Sequence, residues 1–343
     1  FSIKSTFFSI LLGLTTAYAQ DFNPKYANEF LTMGVGADAL GMGSAVVADI
    51  QGLAAGVWNP AGLLHQTQDI EVGLMHASYF GGLAAFDHLG VSKRLQNQTV
   101  VSANVIRLGV DNIYNTTQLI DNQGNIDYSQ LQTFNSADYA IIGSLAKPTK
   151  IQHLSLGLSA KVLYRHIGNF AKAYGFGFDA GLQYRPSKNW SAGMSLRDAT
   201  STFSAWTYNL SPEMQATLLE TNNELPQNGI EQMLPRIVFG IAGKVPLKSE
   251  KYELGGQLNA EITTDGPRNT LLSGSVFSLD PRAGVYLNYD HKLVFRTGVS
   301  QFQYYQDFDQ TQKLGLQPHL GAGVVLQNWT IDYAFTRLGL GGE

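Results

Sequence analysis

From Tyr174 to Tyr184 the chain reads Tyr-Gly-Phe-Gly-Phe-Asp-Ala-Gly-Leu-Gln-Tyr, and alternate positions separate into two kinds of side chain. Tyr174, Phe176, Phe178, Ala180, Leu182 and Tyr184 form one set; Gly175, Gly177, Asp179, Gly181 and Gln183 form the other. A period of two predicts an extended strand whose successive side chains face opposite sides. Alternation alone fits a soluble sandwich as well as a membrane strand. The tyrosine spacing favours the membrane: ten residues at ~3.3 Å rise, tilted by ~40°, cover roughly 25 Å, the height of an outer-membrane barrel's apolar band, with an aromatic ring at each water interface.

The pattern returns along the chain. Leu154, Leu156, Leu158, Ala160, Val162 and Tyr164 oppose Ser155, Gly157, Ser159, Lys161 and Arg165. Similar segments run from Trp190 to Arg197, Arg236 to Lys244, Tyr252 to Ile262, Val285 to Tyr289, Leu293 to Val299, Leu320 to Leu326 and Trp329 to Phe335. Less cleanly two-faced ones lie near Ile70 to Tyr79, Ala84 to Arg94, Thr99 to Leu108 and Tyr139 to Leu145, which makes thirteen strands in all. The connections have a parity of their own. They are short around Gln96, Pro148 to Lys150, Pro186 to Lys188, Leu247 to Glu250, Asp290 to His291 and Gln327 to Asn328. They are long at Asp111 to Ser136, Ser201 to Gln232, Thr264 to Leu279 and Gln303 to Leu316. Short turns on one side and long loops on the other are how outer-membrane barrels are built.

The expected fold is therefore all-β, a transmembrane antiparallel β-barrel over residues 69–343. Thirteen strands leave an open edge in lipid, so a fourteenth is expected beyond Glu343, with Leu338 to Glu343 starting an external loop.

Residues 1–19 carry Lys4, an apolar run from Phe7 to Leu14 and Ala17-Tyr18-Ala19. This predicts a secretory signal peptide rather than a membrane helix, and so an exported, outer-membrane protein. There is no cysteine, which removes disulfides and thiol chemistry; a net charge of -4 implies no basic face for nucleic acid.

Residues 20–68 are expected to form a plug inside the barrel. Gly34, Gly36 and Gly41 do not make a dinucleotide fingerprint; the glycines and alanines allow close backbone packing. Asn59-Pro60-Ala61-Gly62 reads as a turn. Lys161, Arg165, Asp179, Arg197, Arg236, Lys244, Glu253, Glu261, Asp290 and Arg296 fall on the polar face, where a salt-bridged lumen would lock the plug; a solute pathway is the alternative. In lipid each such charge would cost ~2 to 4 kcal/mol at the midplane. The seven histidines have no metal-ligand spacing, and no catalytic constellation or cofactor site stands out. Ser211-Pro212-Glu213 followed by Met214, Leu218 and Leu219 predicts an N-capped helix. With Tyr304 and Tyr305 it supplies the candidate partner-binding loops.

The N-terminal segment carries a family resemblance. Gly36, Ala39, Gly41, Met42 and Gly43, with Trp58, Asn59, Pro60, Ala61 and Gly62, resemble the PorV/PorQ outer-membrane proteins of Bacteroidota, a branch of the FadL-like fourteen-stranded barrels; the block and Trp58 look more like PorV than PorQ. The resemblance implies a plug similar to the FadL hatch, and a non-enzymatic component of the type IX secretion system. Such a protein binds the C-terminal signal domain of exported cargo, docks on a giant SprA-like translocon barrel and passes cargo to a surface sortase complex. The shared Asn-Pro-Ala-Gly turn also fits a FadL-like transporter of hydrophobic small molecules. An apolar cavity beside the plug, with a strand kink, would favour transport; a sealed polar lumen with apolar loop tips would favour protein binding.

Overall fold

The computed structural model describes residues 27–117, 119, 124–247, 251–307 and 309–337. The expected signal peptide, the first residues of the expected plug and the external loop expected from Leu338 onward lie outside the described residues.

Sixteen strands form one antiparallel sheet. They are β1 (Ile70–Tyr79), β2 (Ala84–Arg94), β3 (Val100–Asn115), β4 (Gln132–Pro148), β5 (Leu154–Ile167), β6 (Ala171–Tyr184), β7 (Trp190–Arg197), β8 (Thr202–Tyr208) and β9 (Gly229–Met233), then β10 (Arg236–Pro246), β11 (Tyr252–Thr263), β12 (Leu272–Ser273), β13 (Ser278–Tyr289), β14 (Leu293–Gln306), β15 (Gln312–Leu326) and β16 (Trp329–Thr336). Neighbours follow chain order along a path of thirteen, from which β8, β9 and β12 branch. Those thirteen are the strands expected from alternation. Among the described residues β1 and β16 do not pair, so the sheet is not closed; an odd path of antiparallel neighbours makes these two edges run in the same sense.

The two side-chain sets of β6 lie as a membrane strand requires and as a soluble sandwich forbids. Tyr174, Phe176 and Phe178 are 57%, 49% and 46% exposed, whereas Asp179 is 7% and Gln183 0% exposed. Apolar side chains on the outer face and polar ones buried on the inner face reverse the usual globular arrangement. Aromatic rings mark both borders of the apolar face. Tyr139, Tyr164 and Tyr174 stand in register across β4, β5 and β6 toward the loop end, with ring centroids 6.2 and 5.1 Å apart. Toward the short turns, Tyr184 meets Trp190 and Tyr252 meets Tyr289. Among the described residues no helix is long and apolar enough to cross a membrane.

Strands run into three of the expected long loops, and one of them, Gln303 to Leu316, is mostly strand. β3 continues to Asn115 and β4 begins at Gln132; β14 continues to Gln306 and β15 begins at Gln312; β13 begins at Ser278, seven residues before Val285. Beyond the membrane both faces of a hairpin meet water, so apolar alternation stops while backbone pairing goes on. Register shifts at Val110/Ile113 and Ser300/Gln303 sit in these extensions, with Asn112 and Gln301 at positive φ. The fourth long connection holds β8, a helix and β9, and β8 pairs with the outer half of β6 directly beyond β7. One strand is thus interrupted by Asp198–Ser201, where Asp198 and Ser201 have φ of 56° and 59°.

Candidate functional site

The inner face of the sheet is occupied by residues 27–66, which form two short helices, α1 (Ala37–Gly41) and α2 (Ala55–Trp58), and a 3-10 turn over Pro60–His65. The sheet receives this segment on glycines. Gly157 stands opposite Gly181, Gly193 opposite Gly240, and Gly284 opposite Gly298 in adjacent strands. The first pair faces Asn59, Pro60 and Ala61, the second Val47 and Ala48, the third Met42 and Gly43, so that a Cβ on most of these glycines would overlap the segment's backbone. Each pair brings wall and segment together without an intervening side chain.

Hydrogen bonds then take up the segment's polar groups, as buried backbone requires. Ser195 Oγ donates to the Trp58 carbonyl at 3.0 Å, Ser144 Oγ to that of Gly56 at 2.9 Å, and Gln183 Nε2 to that of Ile50 at 2.9 Å. These Ser and Gln side chains satisfy carbonyls at the ends of the short helix and turns.

The motif residues fall within this contact. Trp58 covers Gly34 and its indole Nε1 donates to the Val35 carbonyl at 2.7 Å. Asn59 Nδ2 donates to Val47 and, across the lumen, to the Leu182 carbonyl on β6 at 3.1 Å; its Oδ1 accepts from Ala61 N–H, which caps the 3-10 turn before Pro60. Gly36 N–H donates to Met75 Sδ, Ala39 is fully buried, Gly41 lies against Gly321, and Gly62 faces the Ile50 carbonyl.

Nine of the ten charged residues expected on the polar face are there, most of them ion-paired. Lys161 Nζ lies 2.8 Å from Asp179 and 2.6 Å from Asp198; Arg236 reaches Asp198 at 2.9 Å and Glu261 at 3.3 Å. Arg282 joins Glu261 at 2.6 Å to Asp280 at 3.3 Å. Buried Arg197 completes four cations against four carboxylates; its Nη2 donates to the Leu31 carbonyl and its guanidinium lies over the Trp58 ring. The belt is therefore neutral, as a low-dielectric interior demands, and it grips the segment directly. Arg165 pairs with Asp138 and Glu231, Lys244 with Glu253, and Arg296 with Asp332. Asp290 is the exception: it pairs with Lys292 in an exposed turn, because the β13–β14 reversal carries it off the inner face.

Asp198, Asp280 and Arg282 are central to the belt and were not singled out by the sequence. Asp198 lies in the strand break. Pro281, which lacks a ladder donor, hid the first turn of β13; it is tolerated because β13 pairs with β14 only from Ala283 onward.

At the short-turn end, burial and the Arg185 and Arg94 cations lower the His65 pKa to about 4, and burial raises that of Asp49 although Arg185 lies 3.2 Å away. Among the described residues no group of three or more His, Asp or Glu side chains could hold a metal ion.

The candidate partner-binding residues lie at the loop end, on separate loops. Helix α3 (Pro212–Glu220) begins at Pro212 and is capped by Ser211 Oγ, which accepts from Met214 N–H at 3.2 Å. No residue of α3 is buried: Met214 and Leu218 are half-buried and Leu219 is exposed. Tyr304 is held through its backbone, donating to Asn269 Oδ1 and accepting from Asn269 Nδ2, while its ring and that of Tyr305 remain partly exposed.

No protein-family model and no curated protein sequence matches the chain. Solved structures do. The deltaS2 mutant of the TodX monoaromatic hydrocarbon channel superposes with a TM-score of 0.53 at 13% identity, covering 88% of this chain and 92% of its own. The P. putida toluene transporter TodX gives 0.50 at 13% identity, covering 88% and 91%. These neighbours are outer-membrane channels and transporters of the FadL family rather than enzymes, and the fold of this chain is accordingly FadL-like.

Proposed function

We propose that the chain is a non-enzymatic outer-membrane barrel closed by an N-terminal plug, residues 20–68, and that it works at its loop end as a component of a type IX protein secretion system. It would bind the C-terminal domain of exported cargo and the translocon barrel there, and pass cargo to the surface attachment complex. The observation that carries this reading is the filled interior: registered glycines seat the backbone of residues 42–61, and a neutral belt of eight charges, six of them buried, lies across the remaining space. Exposed apolar side chains at the loop end, among them Phe80, Leu83, Tyr114, Tyr128, Ile230 and Phe277, add a surface suited to protein. The resemblance of residues 36–62 to the PorV/PorQ block supplies the partner.

The second reading is a FadL-like channel for hydrophobic small molecules, and the names of the structural neighbours favour it over the first. The break at Asp198–Ser201 is the kind of strand interruption that reading calls for. The inner side of the break is lined by Asp198, Lys161 and Arg236, however, and an apolar solute crossing there would displace paired charges.

Affinity purification of the tagged protein from its own membrane separates the two. Recovery of a giant barrel or surface-exported cargo supports the secretion reading. Isolation alone with bound lipid, fatty acid or aromatic hydrocarbon supports the channel and sinks the first.

A further inference from the structure

Beyond the break at Asp198–Ser201 the wall is rebuilt as a hairpin. β8 pairs with the outer half of β6, and β9 pairs with β8, from Thr202 opposite Met233 to Trp206 opposite Gly229. β9 then leads through Leu234 and Pro235 into β10, whose exposed Phe239 and Ile241 belong to the lipid-facing band. β9 therefore stands on the loop side of that band.

The far side of β9 has no neighbouring strand. β11, which pairs with β10 as far as Thr263 opposite Arg236, ends there. The stretch after it turns aside: Gly266 N–H donates to the Val276 carbonyl, Ser278 Oγ donates to that of Gly266, and Asn269 Nδ2 donates to that of Tyr304. It meets the foot of β9 where Thr264 Oγ1 donates to the Pro235 carbonyl at 2.8 Å. Among the described residues, Gly229 to Met233 make no backbone hydrogen bond other than those with β8. Residues of an antiparallel strand direct their N–H and C=O groups alternately to one side and the other, so half of the β9 ladder is unpaired, and Gly229 and Ile230 are exposed. A free edge of this kind is complementary to another extended backbone.

Charge decides whose backbone it is. Arg165 is shared between Asp138 at 2.8 Å and Glu231 at 3.1 Å, so two carboxylates stand against one guanidinium. Residues 198–235 hold no lysine or arginine. Full antiparallel overlap of two β9 edges would set Glu231 opposite Glu231, at the middle of the strand, and like charges directly opposite are destabilising. A second copy is therefore disfavoured, and a basic strand is favoured.

We infer that β9 takes up an extended segment of a partner protein as an added strand. Its alternate side chains are apolar, beside outward Ile230, and basic, beside inward Glu231. The inference rests on the secretion reading and names how cargo is held at the loop end: backbone bonds supply affinity and the alternation supplies selectivity.

In the first test, purified protein in detergent is mixed with a short peptide alternating valine and lysine, and amide hydrogen exchange is followed. Exchange at residues 229–233 is expected to slow by about tenfold or more. The same peptide with alternate backbone amides methylated keeps its side chains and loses the donors of one edge, and is expected to give no protection; a peptide alternating valine and glutamate is expected to give none either. Equal protection by the methylated peptide, or no protection by any of the three, would overturn the added strand. The second test uses the tagged protein in its own membrane. The chain has no cysteine, so Ile230→Cys and Leu219→Cys each carry a photo-crosslinker at a single position. Crosslinks from Ile230 to an extended segment of a surface-exported protein are expected. Cargo that crosslinks from Leu219 alone overturns the inference and leaves the secretion reading standing, and a product of twice the chain mass gives the edge to a second copy and overturns it as well. Peptide protection with no partner recovered keeps β9 as a strand-binding edge and sinks the secretion reading.

Discussion

Gly284 stands directly opposite Gly298 in the β13–β14 register, and the Met42 backbone occupies the space that either Cβ would need. Valine at either position must push the N-terminal segment away from the wall, because the obstacle is backbone and has no rotamer to change. Overpacking of this kind costs about 1–3 kcal/mol or more. Gly284→Val and Gly298→Val are therefore expected to lower the thermal midpoint in detergent and expose residues 27–66 to protease. Gly143→Val, on the outer face, is expected to do neither; equal effects at all three sites would show that strand propensity, not seating of the segment, was being measured.

Asp198 is shared between Lys161 and Arg236, and all three side chains are nearly inaccessible. Asn at this position keeps the positive φ, which asparagine tolerates, but leaves two buried cations short of a counter-charge. Breaking a buried pair by removing one partner costs about 3–5 kcal/mol, so Asp198→Asn is expected to destabilise by that order in a denaturant titration. Asp290→Asn, which breaks the exposed pair with Lys292, is expected to cost at most about 1 kcal/mol. Adding Lys161→Met to Asp198→Asn is expected to recover part of the loss.

His65 lies against the wall, its Nε2 3.3 Å from Ser155 Oγ. Its folded pKa of about 4 lies below the ordinary value of 6.5, so the neutral form is the one the fold favours. Between pH 6.5 and 4 the unfolded state binds the proton that the folded state refuses, and stability falls with pH across that window. Asp49, whose pKa is raised by burial, works in the opposite direction at the acid end, since its protonation is easier in the folded chain. The protection factors of residues 27–66 in hydrogen exchange, referred to the intrinsic rate at each pH, are expected to fall as pH drops from 6.5 toward 4, and His65→Gln is expected to flatten that dependence. A wild-type profile level over this range would contradict the assignment.

How much of this was legible in the sequence depended on what each residue faced. Phe176 and Phe178 announce their strand because lipid on one side and packed polar groups on the other enforce a strict period of two. Asn115 and Gln132 face each other in a paired hairpin, yet with water on both sides nothing constrains their polarity, so they read as loop. Asn59-Pro60 was readable as a turn because the cap and the ring restriction are local chemistry. The pairing of Gly157 with Gly181 was not, since it depends on the register between two strands. The same holds for Asp198 and Arg282, whose partners are far away in sequence.

The loop end carries the last expectation. From Asp198 to Pro235 there is no lysine or arginine, while Glu213, Glu220, Glu224 and Glu231 are present alongside exposed Leu219 and Ile230. On the proposed secretion reading, an acidic surface interrupted by apolar side chains would steer and then grip a basic, partly apolar protein face. Leu219→Glu touches no buried contact, so stability is expected to stay within about 0.5 kcal/mol of wild type, whereas co-purified cargo or translocon is expected to fall severalfold. Ser211→Ala, which removes the cap on α3 at a local cost of about 0.5–2 kcal/mol, is expected to weaken the same capture through fraying of the helix. If both variants capture partners as wild type does, α3 is not part of the binding face. If they alter hydrocarbon uptake while no partner is recovered from wild type, the channel reading gains what the secretion reading loses.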